Sequence, residues 1–262
     1  MADINEVKVV RTSDIFNAAD ADVVIRSSDN LEFRLHKRNL EFTSGAFPPA
    51  ETPVHSNETI QLTESAATLE ILFQFVYPRQ FPSLERLDFD SVMLLAEAGQ
   101  KYEIFGLMNA CQFQLRKFKH KHPDRILEFA AQHNHGDLVT QLVPILLHMP
   151  LTKLVKILPS HMYIPWSLYR ESWLVQVMKS AAVLVPSHDC FPKEKTSAWS
   201  FFRKNLHDEI ISDYLDILPG DSWDKLAAKY AHRQCCTSVI KAWRAELERI
   251  RDSMPPIELP SS

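Results

Sequence analysis

Two groups of residues in this chain have the types needed to hold a metal ion. One is His120, His122, His133 and His135; the other is Cys190, Cys235 and Cys236, with His188 or His232 nearby. Zinc takes imidazole nitrogen and thiolate sulfur in tetrahedral sets, so both groups must be tested by spacing. On a helix, His133 and His135 stand about 200° apart at 3.6 residues per turn. His120 and His122 flank a helix break at Pro123. The adjacent pair Cys235-Cys236 lacks the two-residue gap of common zinc sites. We therefore expect solvated helix ends and packed thiols, with no metal and no cofactor. A metal-dependent enzyme on the helical half is the reading these residues offer against that.

Other chemistries lack their parts. The five glycines, Gly45, Gly99, Gly106, Gly136 and Gly220, are too sparse for a phosphate-cradling loop. Neither the dinucleotide fingerprint nor the P-loop pattern occurs, and there is no Gly-x-Ser-x-Gly elbow. The run from Arg116 to His122 is the most basic stretch, but it ends a predicted helix, where cations complement the helix dipole. With a formal net charge of -4 over 262 residues, the chain offers no electrostatic case for nucleic acid or an anionic membrane. Four cysteines do not make a disulfide scaffold. The start Met1-Ala2-Asp3-Ile4 has no signal-peptide pattern, and no stretch approaches 18 uncharged apolar residues. These features predict an intracellular protein, in cytoplasm or nucleus, with reduced thiols. On that ground Asn57-Glu58-Thr59 is a chance match to a glycosylation acceptor.

The elements that must position any site follow from hydrophobic periodicity. Val23-Val24-Ile25 is a β-branched run suited to a strand buried on both faces. Ser27 to Asn30 is turn chemistry. Leu31, Phe33 and Leu35 then alternate with Glu32 and Arg34, completing a hairpin. A short helix is predicted over Asn39 to Ser44, with Gly45 as its stop. Pro48, Pro49 and Pro53 make a loop, and Thr59 to Leu62 a third short strand. Ala66, Leu69, Leu72, Phe73 and Val76 mark a helix capped by Thr63 or Ser65 and stopped by Pro78. Phe89 to Ala96 and Ile104 to Phe118 mark two more.

From Pro123 onward the pattern is helical only. Helices are predicted over Ile126 to Ala131, Leu138 to Leu147, Leu151 to Leu158 and Trp166 to Leu184, with Pro144 kinking the second. Trp199 to Ile217 carries an apolar stripe. Ile240, Trp243, Leu247, Ile250 and Met254 carry another, read as an internal packing face. Pro255 to Ser262 reads as a loose tail.

Taken together, Asp22-Val23-Val24-Ile25-Arg26-Ser27-Ser28-Asp29, then Phe33-Arg34-Leu35-His36-Lys37 with Leu40, then Ser44 and Phe47, closely resemble the BTB/POZ domain. Leu72-Phe73-Gln74-Phe75-Val76-Tyr77-Pro78 and Leu94-Leu95-Ala96-Glu97-Ala98-Gly99-Gln100-Lys101-Tyr102 continue the resemblance, which covers roughly residues 14 to 120. The chain is most similar to fungal proteins with a single BTB domain and a helical C-terminal region. The resemblance implies an α+β fold, a small strand layer with a helical cluster, followed by an all-helical region.

It also implies a non-catalytic interaction or adaptor protein that self-associates, through its first helix and an N-terminal segment where Val7, Val9 and Val10 form an apolar strip. His36 then matches a structural position. Asp22 and Lys37 match an acid and a base that sit close together near the dimer groove. Cullin-binding members carry a hydrophobic-x-Glu triplet before the third strand. The counterpart here is Pro49-Ala50-Glu51, where proline replaces the hydrophobic residue, so weakened cullin binding is expected. The expected organisation is an N-terminal segment 1–13, a BTB/POZ domain 14–122, a helical region 123–254 and a tail 255–262.

Overall fold

In the computed structural model, residues 10–52, 59–147, 149–183 and 234–259 are described. The chain divides into two compact units, Met1–His122 and Pro123–Ser262.

The first unit is built on a four-stranded sheet of order β1-β3-β2-β4. Strands β2 (Val23–Arg26) and β3 (Leu31–Leu35) form the antiparallel hairpin that the alternation predicts, with Ile25 opposite Phe33. Its turn closes through Ser27, whose amide donates to Leu31 O and whose Oγ accepts from the Leu31 amide, each at 2.9 Å. Asn30 takes the left-handed conformation, φ 64°, that asparagine tolerates better than most residues. Strand β4 (Thr59–Gln61) runs parallel to β2 on one edge.

The other edge is β1 (Arg11–Asn17), parallel to β3, which hydrophobic alternation does not announce. It straddles the expected boundary between residues 13 and 14. The reason it escapes the pattern is a bulge. Thr12 pairs with Glu32 and Asn17 with Arg34, so five steps along β1 span two along β3. Ser13 and Phe16, three residues apart, therefore both turn inward. The Ser13 Oγ accepts from the amides of Ile15 and Phe16 at 3.3 and 3.2 Å and serves donors that the ladder leaves unpaired.

Helices cover one face of the sheet. Val23, Ile25, Phe33 and Leu35 bury into them, whereas Val24 is half-exposed on the other face with the Arg26–Glu32 ion pair. The expectation that Val23-Val24-Ile25 is buried on both faces is thus corrected: this sheet has helical cover on a single side, so period two survives. Helix α1 (Lys37–Thr43) begins two residues before the predicted Asn39. Gly45 does not stop it with a positive φ. Ser44 ends it in an extended conformation, and its Oγ–H donates to Leu40 O at 2.8 Å. Gly45 serves close approach instead, since the Glu103 side chain fills the space a Cβ would need.

Of the two offered caps, Ser65 starts α2 (Ala66–Gln74), accepting from the Thr68 amide at 3.3 Å. Asp29 in the hairpin turn accepts from the Ala66 amide at 2.7 Å, which ties helix to sheet. Helices α3 (Phe89–Lys101, capped by Asp88) and α4 (Phe105–Lys117) pack as a hairpin. An aromatic cluster closes the core: the Phe33 ring lies 5.2 Å from Phe73 and 6.1 Å from Phe16.

In the second unit the described residues form helices α5 (Pro123–Gln132), α6 (Gly136–Leu146), α7 (Leu151–Ile157), α8 (Ser160–Val183) and α9 (Gln234–Ser253). Pro123 sits in the first turn of α5, where a missing N–H costs nothing. Pro144 lies inside α6. Helix α8 starts six residues before the predicted Trp166 and runs through Pro165. That proline forfeits one backbone bond, while Met162 and Trp166, one turn apart and both buried, hold the first turn in place. The tail is not loose over its described part: Ile257 is buried, and Leu259 Cδ1 lies 4.0 Å from where a Gly136 side chain would begin. The stripe from Trp199 to Ile217 and residues Val7 and Val9 lie outside the described residues. Of Trp243 and Leu247 only the helical backbone is described.

Candidate interaction surface

At the β3–α1 junction, His36 joins three segments. Its amide donates to Tyr77 Oη at 3.2 Å, its Nδ1 lies 3.0 Å from the same oxygen, and its Nε2 lies 3.3 Å from Asp20 Oδ1. Burial pushes the Tyr77 phenol up, and the hydrogen bond from the His36 amide opposes that. The hydroxyl thus connects the end of the sheet to the turn that follows α2.

Asp22 and Lys37 come together through the backbone and not through their charges. Asp22 Oδ1 accepts from the Lys37 amide at 2.7 Å, at the first turn of α1. The Lys37 ammonium donates instead to Thr52 O at 2.9 Å. Asp22 is exposed and acts as a capping acceptor supplied from β2's approach. Asp22→Asn keeps an acceptor oxygen and is expected to leave the melting temperature within a degree or two. Asp22→Ala removes the acceptor and is expected to cost about 1 kcal/mol. Equal losses in the two variants, read by denaturant unfolding, would assign the role to charge.

Lys37 thereby holds the loop that carries Pro49-Ala50-Glu51. Within it the Thr52 amide donates to Pro49 O at 2.9 Å, and the Ala50 amide donates to Glu41 Oε2 at 3.2 Å. Pro49 and Glu51 are exposed at this turn. Beneath it lies a shallow open cleft lined by Val23, Leu40, Phe47, Pro49 and Ile60 with Lys37 among them.

A further cluster anchors the same loop and escaped the sequence reading. The Phe47 ring stacks on Tyr102 at 5.1 Å. Tyr102 Oη donates to Glu64 Oε2 at 2.6 Å, and Lys101 Nζ donates to Glu64 Oε1 at 2.8 Å. Burial pulls the Glu64 carboxyl up, but the hydrogen bonds from Lys101 and Tyr102 more than offset this and hold it below its ordinary value. Burial, then the Glu64 hydrogen bond, push the Tyr102 phenol up to about 12. Lys101-Tyr102 is legible in the sequence; Glu64, some 38 residues away, is not.

A raised phenol contributes stability below its unfolded value of 10, and that contribution is lost as pH climbs from 10 to about 12. Tyr102→Phe is expected to cost about 2 kcal/mol at neutral pH. The gap between natural chain and variant is expected to close over that alkaline window in melts. A gap that stays constant to pH 12 would show that the phenol does not titrate with folding.

Apolar side chains also reach solvent on this unit. Phe42 of α1 is 75% exposed, with the Arg38 guanidinium 5.7 Å over its ring. Val10 and Ile15, before and within edge strand β1, are about half-exposed.

The histidines differ from expectation. Helix α5 ends at Gln132, so His133 and His135 lie beyond it, and Asn134 between them has φ 56°. That turn brings the two rings to 6.3 Å, both beside Phe129, and not to opposite sides of a helix. His122 stacks on Phe89 at 4.0 Å. Among the described residues no group of three or more His, Cys, Asp or Glu is placed to hold a metal ion. Cys190, His188 and His232 lie outside the described residues, and of Cys235 and Cys236 only backbone is described. Among the described residues no helix is long and apolar enough to cross a membrane.

No curated protein matches the chain significantly. Residues 14–119 match the family model of the BTB/POZ domain. Apart from the first three residues of β1, the strand layer, the helical cluster and the loop held by Lys37 and Tyr102 fall within that span, and this chain therefore carries a BTB/POZ domain, a protein-interaction module, ahead of a helical region.

Proposed function

We propose that the chain is a non-catalytic intracellular adaptor that self-associates through its BTB/POZ half. The observation that carries this reading is Phe42. A phenylalanine three-quarters exposed on the first helix of a domain whose family associates by that helix is the natural anchor of an interface. Val10 and Ile15 add exposed apolar side chains before and within β1, the edge strand of the described sheet. One BTB/POZ domain followed by helices also supports placing the chain with the fungal proteins it resembles. Light scattering of the full chain is expected to give twice the 30.2 kDa of one copy. Phe42→Glu is expected to return it toward one copy with unchanged helicity. A single-copy mass at every accessible concentration would overturn the reading.

The exposed turn at Pro49-Ala50-Glu51 favours a second reading, a substrate receptor for a cullin-based ubiquitin ligase, with attenuated affinity. A hydrophobic residue entering a partner's cleft contributes about 2 kcal/mol, roughly thirtyfold in affinity, and proline is smaller and stiffer. In calorimetry against the N-terminal domain of the cullin family's BTB-binding member, Pro49→Leu is expected to bind more tightly than the natural chain. Equal submicromolar binding by both would remove that mechanism. The metal-enzyme alternative is answered by metal analysis of the purified chain, expected to find no stoichiometric metal.

A further inference from the structure

We propose that helix α8 carries a second, self-complementary interface, through which two copies of the chain pair antiparallel. This lies in the helical unit and stands apart from the BTB/POZ reading. Ile164, Leu168 and Val175 are 59%, 59% and 41% exposed, an unusual set of large apolar side chains for one face of a helix. With His161 and Glu171, also exposed, they fall at successive spacings of three, four, three and four residues. At 3.6 residues per turn these five positions share an arc of about 80°. The buried side chains Met162, Trp166 and Trp173 stand on the opposite side of the same helix, which packs with α7 and α9. Glu171 is the only formal charge among the exposed positions from Ser160 to Gln176, His161 counted as neutral. A face kept for solvent alone gains nothing from three aliphatic residues at seam spacing.

The occupant follows from how this face reads backwards. A two-fold axis crossing the exposed side of α8 at residue 166, whose side chain points away, sets Ile164 of one copy against Leu168 of the other. The same operation sets His161 against Glu171, twice. Ile164 and Leu168 then fill two apolar layers. Val175 falls outside the paired stretch because its mate position, 157, precedes α8. His161, whose Nε2 also lies 3.2 Å from Asn134 Oδ1 of its own chain, meets Glu171, the arrangement an isologous contact needs. In a parallel pair, by contrast, Glu171 would face Glu171. The seam is short, well under the ~1,200 Å² of a standard interface, so the pairing is weak and concentration-dependent.

The test uses the full chain. Unlabelled Ile164→Cys is mixed with nitrogen-15-labelled Leu168→Cys at high concentration under mild oxidation, and disulfides are mapped by mass spectrometry. The expected product joins 164 of one copy to 168 of the other, in at least severalfold excess over 164–164 and 168–168 links. His161→Glu and Glu171→His, added singly, are each expected to cut that yield severalfold; the two together are expected to restore it. Circular dichroism checks that the helices persist. Homotypic links in equal or greater amount, no cross-link at all, or a yield indifferent to the charge swap would each overturn the proposal. Self-association through Phe42 is read separately, by the mass of Phe42→Glu, so failure of one leaves the other standing.

Discussion

Phe33→Ala is expected to lower the stability of the BTB/POZ half by about 3–5 kcal/mol, from lost transfer energy plus the cavity left behind. The site is poorly able to collapse. Phe33 is fully buried at the middle of β3, opposite Ile25, with the Phe16 and Phe73 rings packed edgewise or tilted against it. Those rings belong to β1 and α2, so the change also removes contacts that join sheet to helix. Denaturant unfolding followed by fluorescence and circular dichroism reads the loss. A change below about 1 kcal/mol would mean that β3 does not present this face to the core.

Trp166→Ala is expected to cost a comparable ~3–5 kcal/mol in the helical half. Trp166 is 1% exposed and is the largest fully buried side chain described. Its indole Nε1–H is buried without a hydrogen-bond partner. A buried unsatisfied donor costs about 1–3 kcal/mol, so Trp166→Phe, which keeps much of the apolar area and removes the donor, is expected to fall within about 1 kcal/mol of the natural chain. The pair of variants separates packing from polarity. If Phe is as damaging as Ala, the indole N–H is satisfied in solution and the accounting for this site is wrong. Should both changes be silent, α8 is not held by its tryptophan face, and the opposite face loses its rigid backing as well.

Much of the fold is legible in the residues because local rules and tertiary packing agree there. Alternation places Phe33 and Leu35 inward, Ser65 caps α2, and prolines punctuate the helices of the second half. The failures have a common physical cause, a long-range contact that overrides a local preference. Strand β1 is hidden because a bulge held by Ser13 breaks the two-residue period. Helix α1 begins at Lys37 because Asp22, fifteen residues earlier, supplies its amide with an acceptor. His133 and His135 meet because α5 stops short and Asn134 turns left-handed. Helix α8 starts at Ser160 because buried Met162 and Trp166 outweigh the bond that Pro165 forfeits.

The same division holds for function. The class is legible in the residues alone: strand and helix periods with the Asp22–Lys37 and Leu94–Tyr102 patterns mark a BTB/POZ domain, and the absence of phosphate-loop and nucleophile motifs weakens enzymatic readings. So is the loop at Pro49-Ala50-Glu51. How that loop is held emerges in three dimensions, from the Lys37 ammonium on Thr52 and from Phe47 stacked on a Tyr102 that is itself tied to Glu64. So does the way Asp22 and Lys37 meet, through an amide and not an ion pair. Likewise, Phe42, Ile164 and Leu168 read in sequence as ordinary apolar helix residues. Whether such a residue enters a core or faces solvent depends on which helix face its neighbours occupy, a property of packing that one-dimensional periodicity does not carry.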